Sequence, residues 1–166
     1  MSRLIRTPAE WKIEREKLQN ASIGYVPTMG NLHAGHASLL KRSQQENDYT
    51  VLSIFVNPTQ FNDASDFQKY PKTHKEDIEL AEKFGIQYIF MPEESELYLD
   101  HYRYRVNEIE ESLKFCGKYR PGHFEGVLTV VLKLLLLIKP TRAYFGEKDF
   151  QQLELIKGMM NAFFMD

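Results

Sequence analysis

Apolar positions along this chain alternate between two spacings. Short runs rich in β-branched and aromatic residues are separated by stretches where apolar residues recur every three or four positions. Ser22–Val26 reads as a buried strand. Tyr49–Val56 is nearly continuous in apolar and β-forming residues, the pattern of a strand covered on both faces in a parallel sheet. Ile86–Phe90 is a short strand broken by Pro92, and Ala143–Phe145 is a further buried strand. The helical stretches carry their own signals. Thr7-Pro8-Ala9-Glu10 is a capping box with proline at the first helical position, and Trp11, Ile13 and Leu18 give an inward stripe that ends near Asn20. Leu39 and Leu40 followed by polar Lys41–Gln45 predict a second helix. Thr73-His74-Lys75-Glu76 predicts another capping box, with Ile78, Leu80, Ala81 and Phe84 carrying the helix to Gly85. Val127–Ile138 is the longest apolar run, a core helix stopped by Lys139-Pro140.

Three stretches are less regular. Asp63–Tyr70 reads as a loop or a short helix, Glu93–Asp100 as a solvated acidic connection, and Tyr102–Val106 as an edge strand or hairpin arm. Strands and helices otherwise alternate without repeats or low-complexity linkers. The expected fold class is therefore α/β, a doubly wound, mainly parallel sheet with helices on both faces, occupying residues 1–166 as one domain. The tail Gly158–Asp166 has apolar residues on most sides and no stop signal, which predicts contact with another domain or subunit and a chain that stops short.

Composition narrows the function. A length of 166 residues, 43% hydrophobic and 27% charged, suits one soluble domain with a real core. A net charge of −2 gives no broad basic field for nucleic acid or an anionic membrane surface. The apolar run at Val127–Ile138 contains Lys133 and falls short of the roughly 20 residues a membrane span needs. The N-terminus lacks a signal-peptide core, and the one cysteine, Cys116, rules out an internal disulfide and fits a reducing cytoplasm. Cys116 has no identifiable base partner and reads as inert.

Chemistry concentrates in the turns after the strands, which in an open α/β sheet share one edge, where ligands bind. The first is Pro27–His36. A strand-to-helix turn there, punctuated by Pro27 and Gly30, would present free backbone N–H groups for phosphate, with His33 and His36 adding donors or positive charge. Gly35 lets backbone approach a ligand closely. A metal reading finds no third His, Cys or carboxylate at zinc-motif spacing. The second turn is Asn57–Asn62, where Asn57 and Gln60 either face a substrate or hydrogen-bond the turn itself. The third is Gly146–Gln152, where Lys148 either reaches a triphosphate or stands in solvent. Lys118–Val127 is a fourth. Neither a Gly-Lys-Ser/Thr phosphate loop nor Gly-x-Gly-x-x-Gly is present.

Four motifs then occur in order: Pro-Thr-Met-Gly-Asn-Leu-His-Ala-Gly-His (27–36), Val-Asn-Pro-Thr-Gln-Phe (56–61), Arg-Pro-Gly-His-Phe-Glu-Gly-Val (120–127) and Phe-Gly-Glu-Lys-Asp-Phe-Gln-Gln (145–152). Together they closely resemble the pantothenate synthetase (pantoate–β-alanine ligase) family along nearly the whole chain. His-x-Gly-His alone marks only the wider nucleotidyltransferase superfamily. The resemblance implies a Rossmann-like N-terminal domain of a cytoplasmic homodimer that joins pantoate to β-alanine, using ATP and Mg²⁺. It implies that Met29, Gly30, Asn31, Leu32, His33, Ala34, Gly35 and His36 bind ATP, with His36 a proton donor. Gly146, Glu147, Lys148 and Asp149 would complete the nucleotide site, with Lys148 on the phosphates. Gln60 would hold pantoate and help place β-alanine, Gln152 would hold pantoate, and Asn57 and His123 match further site positions. His33, His36 and Lys148 are thus the catalytic expectations; no metal ligand is identified. The resemblance also implies a smaller second domain with a Ser-Ser-Arg type loop, expected outside residues 1–166.

Overall fold

The apolar runs assemble into a sheet of five parallel strands in a computed structural model that describes residues 1–165. The strands are β1 (Arg3–Ile5), β2 (Ile23–Thr28), β3 (Tyr49–Ile54), β4 (Tyr88–Phe90) and β5 (Arg142–Ala143), in the order β1-β4-β3-β2-β5. Between and after them run α1 (Pro8–Lys17), α2 (Ala34–Glu46), α3 (Ala64–Lys69), α4 (His74–Lys83), α5 (Glu94–Leu97), α6 (Cys116–Tyr119), α7 (His123–Ile138) and α8 (Phe150–Ala162).

Alternation along the strands divides the core in two. Ile23, Tyr25 and Val51 face Trp11 of α1, Leu128 of α7 and Ile156 of α8. Val26, Leu52 and Ile54 face Leu40 of α2 and Ala81 of α4. Helices therefore cover both faces, as expected for the doubly wound class. The first capping box forms: Thr7 Oγ1 accepts the Glu10 N–H at 3.1 Å, and Glu10 accepts the Thr7 N–H at 3.1 Å. In α7, Val127, Leu128, Val130, Val131, Leu134, Leu135 and Ile138 are buried, each contributing about 1.5–3 kcal/mol of apolar burial.

The structure departs from the sequence reading in six places. Ile13, expected in the inward stripe of α1, is exposed, and Glu14 is buried beside Trp11 instead. The buried strand expected at Ala143–Phe145 is only the two-residue β5, with Arg142 exposed and Ala143 half-buried. β1 carried no detectable pattern because it has only three residues, of which Ile5 alone is buried; its ladder to β4 supplies the pairing. Tyr102–Val106 is not a strand. Asp100 Oδ2 accepts the Tyr104 N–H and Thr129 Oγ1 accepts the Val106 N–H, so side chains hold what a ladder would. The Glu93–Asp100 connection is no mere solvated loop: it holds α5, buries Leu97 and Tyr98, and ends with Asp100 paired to Lys133 at 2.9 Å. Thr73 makes no capping bond; its hydroxyl donates instead to Asp77 Oδ2 at 3.0 Å. Of the two readings of Asp63–Tyr70, the short helix forms as α3, capped by Asp63.

In the apolar tail, Met160 and Met165 pack on the core while Phe163 and Phe164 are exposed; Asp166 lies outside the described residues. Among the described residues, no helix is long and apolar enough to cross a membrane.

Candidate active site

Strand order fixes where the chemistry gathers. From β2 the chain steps to β3 and then β4, and later returns to the other side of β2 as β5. A ligand crevice in such sheets lies outside the carboxyl ends at the point of reversal. The turns after β2, β3 and β5 are Met29–His33, Phe55–Phe61 and Tyr144–Asp149, so three of the four motifs share that edge. The fourth joins them through contacts described below.

The turn after β2 is held from beneath. Gly30 has φ +84° and Asn31 +52°, two left-handed residues in succession. Thr28 Oγ1 accepts the Gly30 N–H at 3.1 Å and donates to the Ser53 carbonyl at 2.7 Å. Asp77, only 2% exposed, accepts the Asn31 N–H at 3.0 Å and the Leu32 N–H at 2.8 Å. These donors are already spent inside the protein. The turn therefore does not offer the free row of N–H groups that its sequence predicts.

The two histidines follow at the start of α2. His33 caps α2, and its Nδ1 accepts the Gly35 N–H at 3.0 Å; His36 Nδ1 accepts the His33 N–H at 3.3 Å. The rings lie 4.1 Å apart between centroids. With Nδ1 an acceptor in both rings, the neutral tautomer carries its proton on Nε2, on the opposite side of each ring. Burial first and the neighbouring His33 second hold His36 below the usual imidazole range, against the opposing pull of Asp77. His36 is neutral at neutral pH and still a donor. Gly35 serves this arrangement too: a Cβ there would stand 2.8 Å from His33 Cε1, so the glycine makes room for the capping ring.

After β3 the amides are locked together. Asn57 is 1% exposed. Its Nδ2 donates to Gln60 Oε1 at 2.9 Å and to the Gly126 carbonyl at 3.2 Å, while its Oδ1 accepts from Thr59 Oγ1 at 2.9 Å and the Tyr98 hydroxyl at 2.8 Å. All four hydrogen-bonding positions of Asn57 are used by protein. Gln60, 9% exposed, has its oxygen toward Asn57 and its amide nitrogen without a protein partner among the described residues. Gly126 permits this contact, because a Cβ would lie 2.6 Å from the Thr59 carbonyl and 2.7 Å from Gln60 Cα. His123, 6% exposed, brings in the fourth motif: its Nδ1 donates to the Gln60 carbonyl at 2.8 Å. Burial holds His123 below the usual range, so Nε2 is a bare acceptor, the reverse of His33 and His36.

The third wall is open. Glu147–Asp149 is a single 3-10 turn without a side-chain cap, and Gly146, Lys148 and Asp149 are exposed. Adjacent glutamines on α8 separate cleanly. Gln151 is bound to the Cys116 N–H and the Glu111 and Lys114 carbonyls, whereas half-buried Gln152 has no side-chain hydrogen bond among the described residues. A cavity of about 720 Å³ between α8 and residues 105–115 is lined by Phe115, Leu128, Phe150 and Met159 and contains none of the predicted site residues. Sequence reasoning missed Asp77, Thr28, Tyr98 and Gly126, which touch the site only through other residues and resemble ordinary helix, strand or core positions.

A doubly wound parallel sheet with paired histidines capping the helix at its reversal point defines a Rossmann-like α/β domain. The family model of pantoate–β-alanine ligase matches residues 3–166. The chain belongs to that family. It is 54% identical over 166 residues to the pantothenate synthetase of Coxiella burnetii and 56% identical over 158 residues to that of Legionella pneumophila, covering all and 95% of this chain. It spans 64% and 63% of the length of those relatives. A pantoate–β-alanine ligase crystal structure from Francisella tularensis, complexed with β-γ ATP and β-alanine, superposes with a TM-score of 0.96 at 43% identity, over 99% of this chain and 64% of that one. The pantothenate synthetase of Thermus thermophilus superposes at 0.90 and 42% identity, over 97% of this chain and 58% of that one.

Proposed function

We propose that this chain is the nucleotide- and pantoate-binding domain of an ATP-dependent ligase that condenses pantoate with β-alanine to pantothenate. The observation that carries this reading is the pair of Nε2–H imidazoles beside the locked amide turn, on adjacent strands of one sheet edge. In the first step a carboxylate oxygen of pantoate attacks the α-phosphorus of ATP, and the bond to the β-phosphate oxygen breaks to release pyrophosphate. The β-alanine amine then attacks the acyl carbon of pantoyl adenylate, loses a proton and expels AMP.

A carboxylate is already ionised at neutral pH, so the first step needs positioning and charge stabilisation more than a base. His33 and His36 supply two fixed donors to the phosphoryl oxygens, where negative charge develops. Because His36 is neutral, it serves as a hydrogen-bond donor that keeps its proton. Met29–His36 and Gly146–Asp149 enclose the nucleotide, with Lys148 drawn onto the phosphates as a point charge. Mg²⁺ enters with ATP, since this ion is characteristically held by substrate phosphates with one or two carboxylates. The unpartnered amide nitrogen of Gln60 and the side chain of Gln152 hold pantoate without adding charge, and His123 Nε2 accepts a hydrogen bond from a substrate hydroxyl or ammonium. Asn57 acts through Gln60. The relatives are longer than this chain, and the smaller second domain that the resemblance implies would close over the phosphates; a cytoplasmic homodimer is the expected assembly.

The test is to add pantoate and Mg·ATP, with and without β-alanine, to this chain and to a chain of the relatives' full length. Pyrophosphate without AMP in the first mixture, and AMP and pantothenate in the second, are expected for the full length. On this chain, calorimetry should show ATP and pantoate binding. A domain that binds neither ligand contradicts the reading.

A further inference from the structure

We propose that Asp77 is a positioning residue for the nucleotide site, setting the Gly30–Leu32 backbone so that both histidine Nε2–H groups point outward together. This rests on the reading that the Pro27–His36 turn receives the nucleotide. Asp77 lies on α4, far along the chain from the turn, and is 2% exposed. A buried carboxylate persists only when its oxygens are well satisfied. Here three donors do so: the Asn31 and Leu32 N–H groups and the Thr73 hydroxyl. No Lys, Arg or His forms an ion pair with it among the described residues.

The backbone it holds is the strained part of the turn. Asn31 at φ +52° follows Gly30 at +84°, and a non-glycine residue keeps such a geometry only when its surroundings over-determine it. The carboxylate presses close enough that a Cβ on Gly30 would meet Asp77 Oδ2 at 2.8 Å. The next residue, His33, is the helix cap whose N–H is taken by His36 Nδ1. Two bonds from Asp77 thus fix the residues directly before the cap, and the cap fixes both imidazole tautomers. The same bonds withdraw the Asn31 and Leu32 amides from the phosphates and leave the imidazoles as the donors.

Asp77→Asn keeps the shape but replaces one acceptor oxygen with a donor that opposes one of the backbone N–H groups. In this chain it is expected to weaken ATP binding at least about tenfold, because small misplacements of binding groups are costly, while pantoate binding stays within about twofold. A role in folding alone would lower the melting temperature and leave the two affinities of the folded fraction unchanged. Equal affinities, or equal losses for both ligands, would overturn the proposal. Amide hydrogen exchange on the unsubstituted chain gives an independent reading should the variant not fold. Asn31 and Leu32 are expected to exchange slowly, and fast exchange at both would overturn it. If the unsubstituted chain bound no ATP, the nucleotide reading would fail, and slow exchange would show only the clamp on the backbone.

Discussion

The turn after β3 and the turn after β5 lie at the same sheet edge and are built in opposite ways. In the first, Asn57 and Gln60 are buried, and the Asn57 amide is saturated by Gln60, Thr59, Tyr98 and the Gly126 carbonyl. Gly146–Asp149 is exposed, with no side-chain cap and nothing within contact of a Cβ placed on Gly146. A neutral substrate group such as a hydroxyl gains little from long-range attraction, so its partners must already be in place, and a buried network provides that. A polyanion is attracted over distance, so a lysine on a mobile stem can stay hydrated until the ligand arrives. If the two turns bind as proposed, the difference means that recognition of the neutral groups would be preorganised, whereas recognition of the phosphates would be assembled on binding. The histidine turn stands between them, with a rigid base, an exposed His33 and a half-buried His36.

Three substitutions test that division in order of expected size. His36→Gln removes a donor aimed at developing charge and should lower pantoate-dependent pyrophosphate release about 10²–10³-fold, with the melting temperature nearly unchanged. Full release would break the assignment of the histidine turn to the phosphoryl step. Asn57→Ala leaves the Tyr98 hydroxyl, the Gly126 carbonyl and Gln60 short of a partner, an expected loss of about 1–3 kcal/mol in denaturant unfolding, with pantoate binding weakened more than ATP binding. A stable Asn57→Ala protein with ordinary pantoate affinity would show that the network is not what holds the turn. Lys148→Ala should change stability by less than about 0.5 kcal/mol, as expected for an exposed surface site. Its ATP affinity should fall, and that loss should shrink as salt is raised.

Much of this arrangement was legible in the sequence. Long-period patterns gave α1, α2, α4 and α7, and the continuous run at Tyr49–Val56 gave a strand buried on both sides. Motif order placed His33, His36 and Gln60 on one edge because parallel strands put their carboxyl ends together. The unread parts have a common cause. β1 is too short to show a period, and the 102–106 segment satisfies its backbone through Asp100 and Thr129, side chains outside any local pattern. Asp77 looks like an ordinary first-turn acid. Its acceptor role depends on residues 31 and 32, which only the tertiary fold brings beneath it. Likewise, no spacing rule separates Gln151, spent on the 111–116 backbone, from Gln152 beside it.

The smallest effect concerns pH and asks whether the locked turn and the histidine turn share a proton dependence. Burial is the leading cause that lowers both His123 and His36. As pH falls through the ordinary imidazole value near 6.5, the unfolded chain takes up protons before the folded one, so stability declines until the folded imidazoles also protonate. The contribution is present in full above that value and is lost below it. The slope is shallow because each ring has an opposing partner: the Gln60 carbonyl accepts from His123, and Asp77 acts on His36. The further loss from Glu10, Asp48 and Asp63, whose carboxyls are held low by hydrogen bonds, falls at lower pH, below the ordinary carboxylate range near 4. Melting temperature should therefore drop modestly between pH 7 and pH 5, a window taken around the ordinary imidazole value. His123→Asn, whose amide can still donate to the Gln60 carbonyl, should remove part of that drop. An unchanged profile would mean that His123 enters the fold already able to carry charge, and the locked turn would then be less dry than its burial indicates.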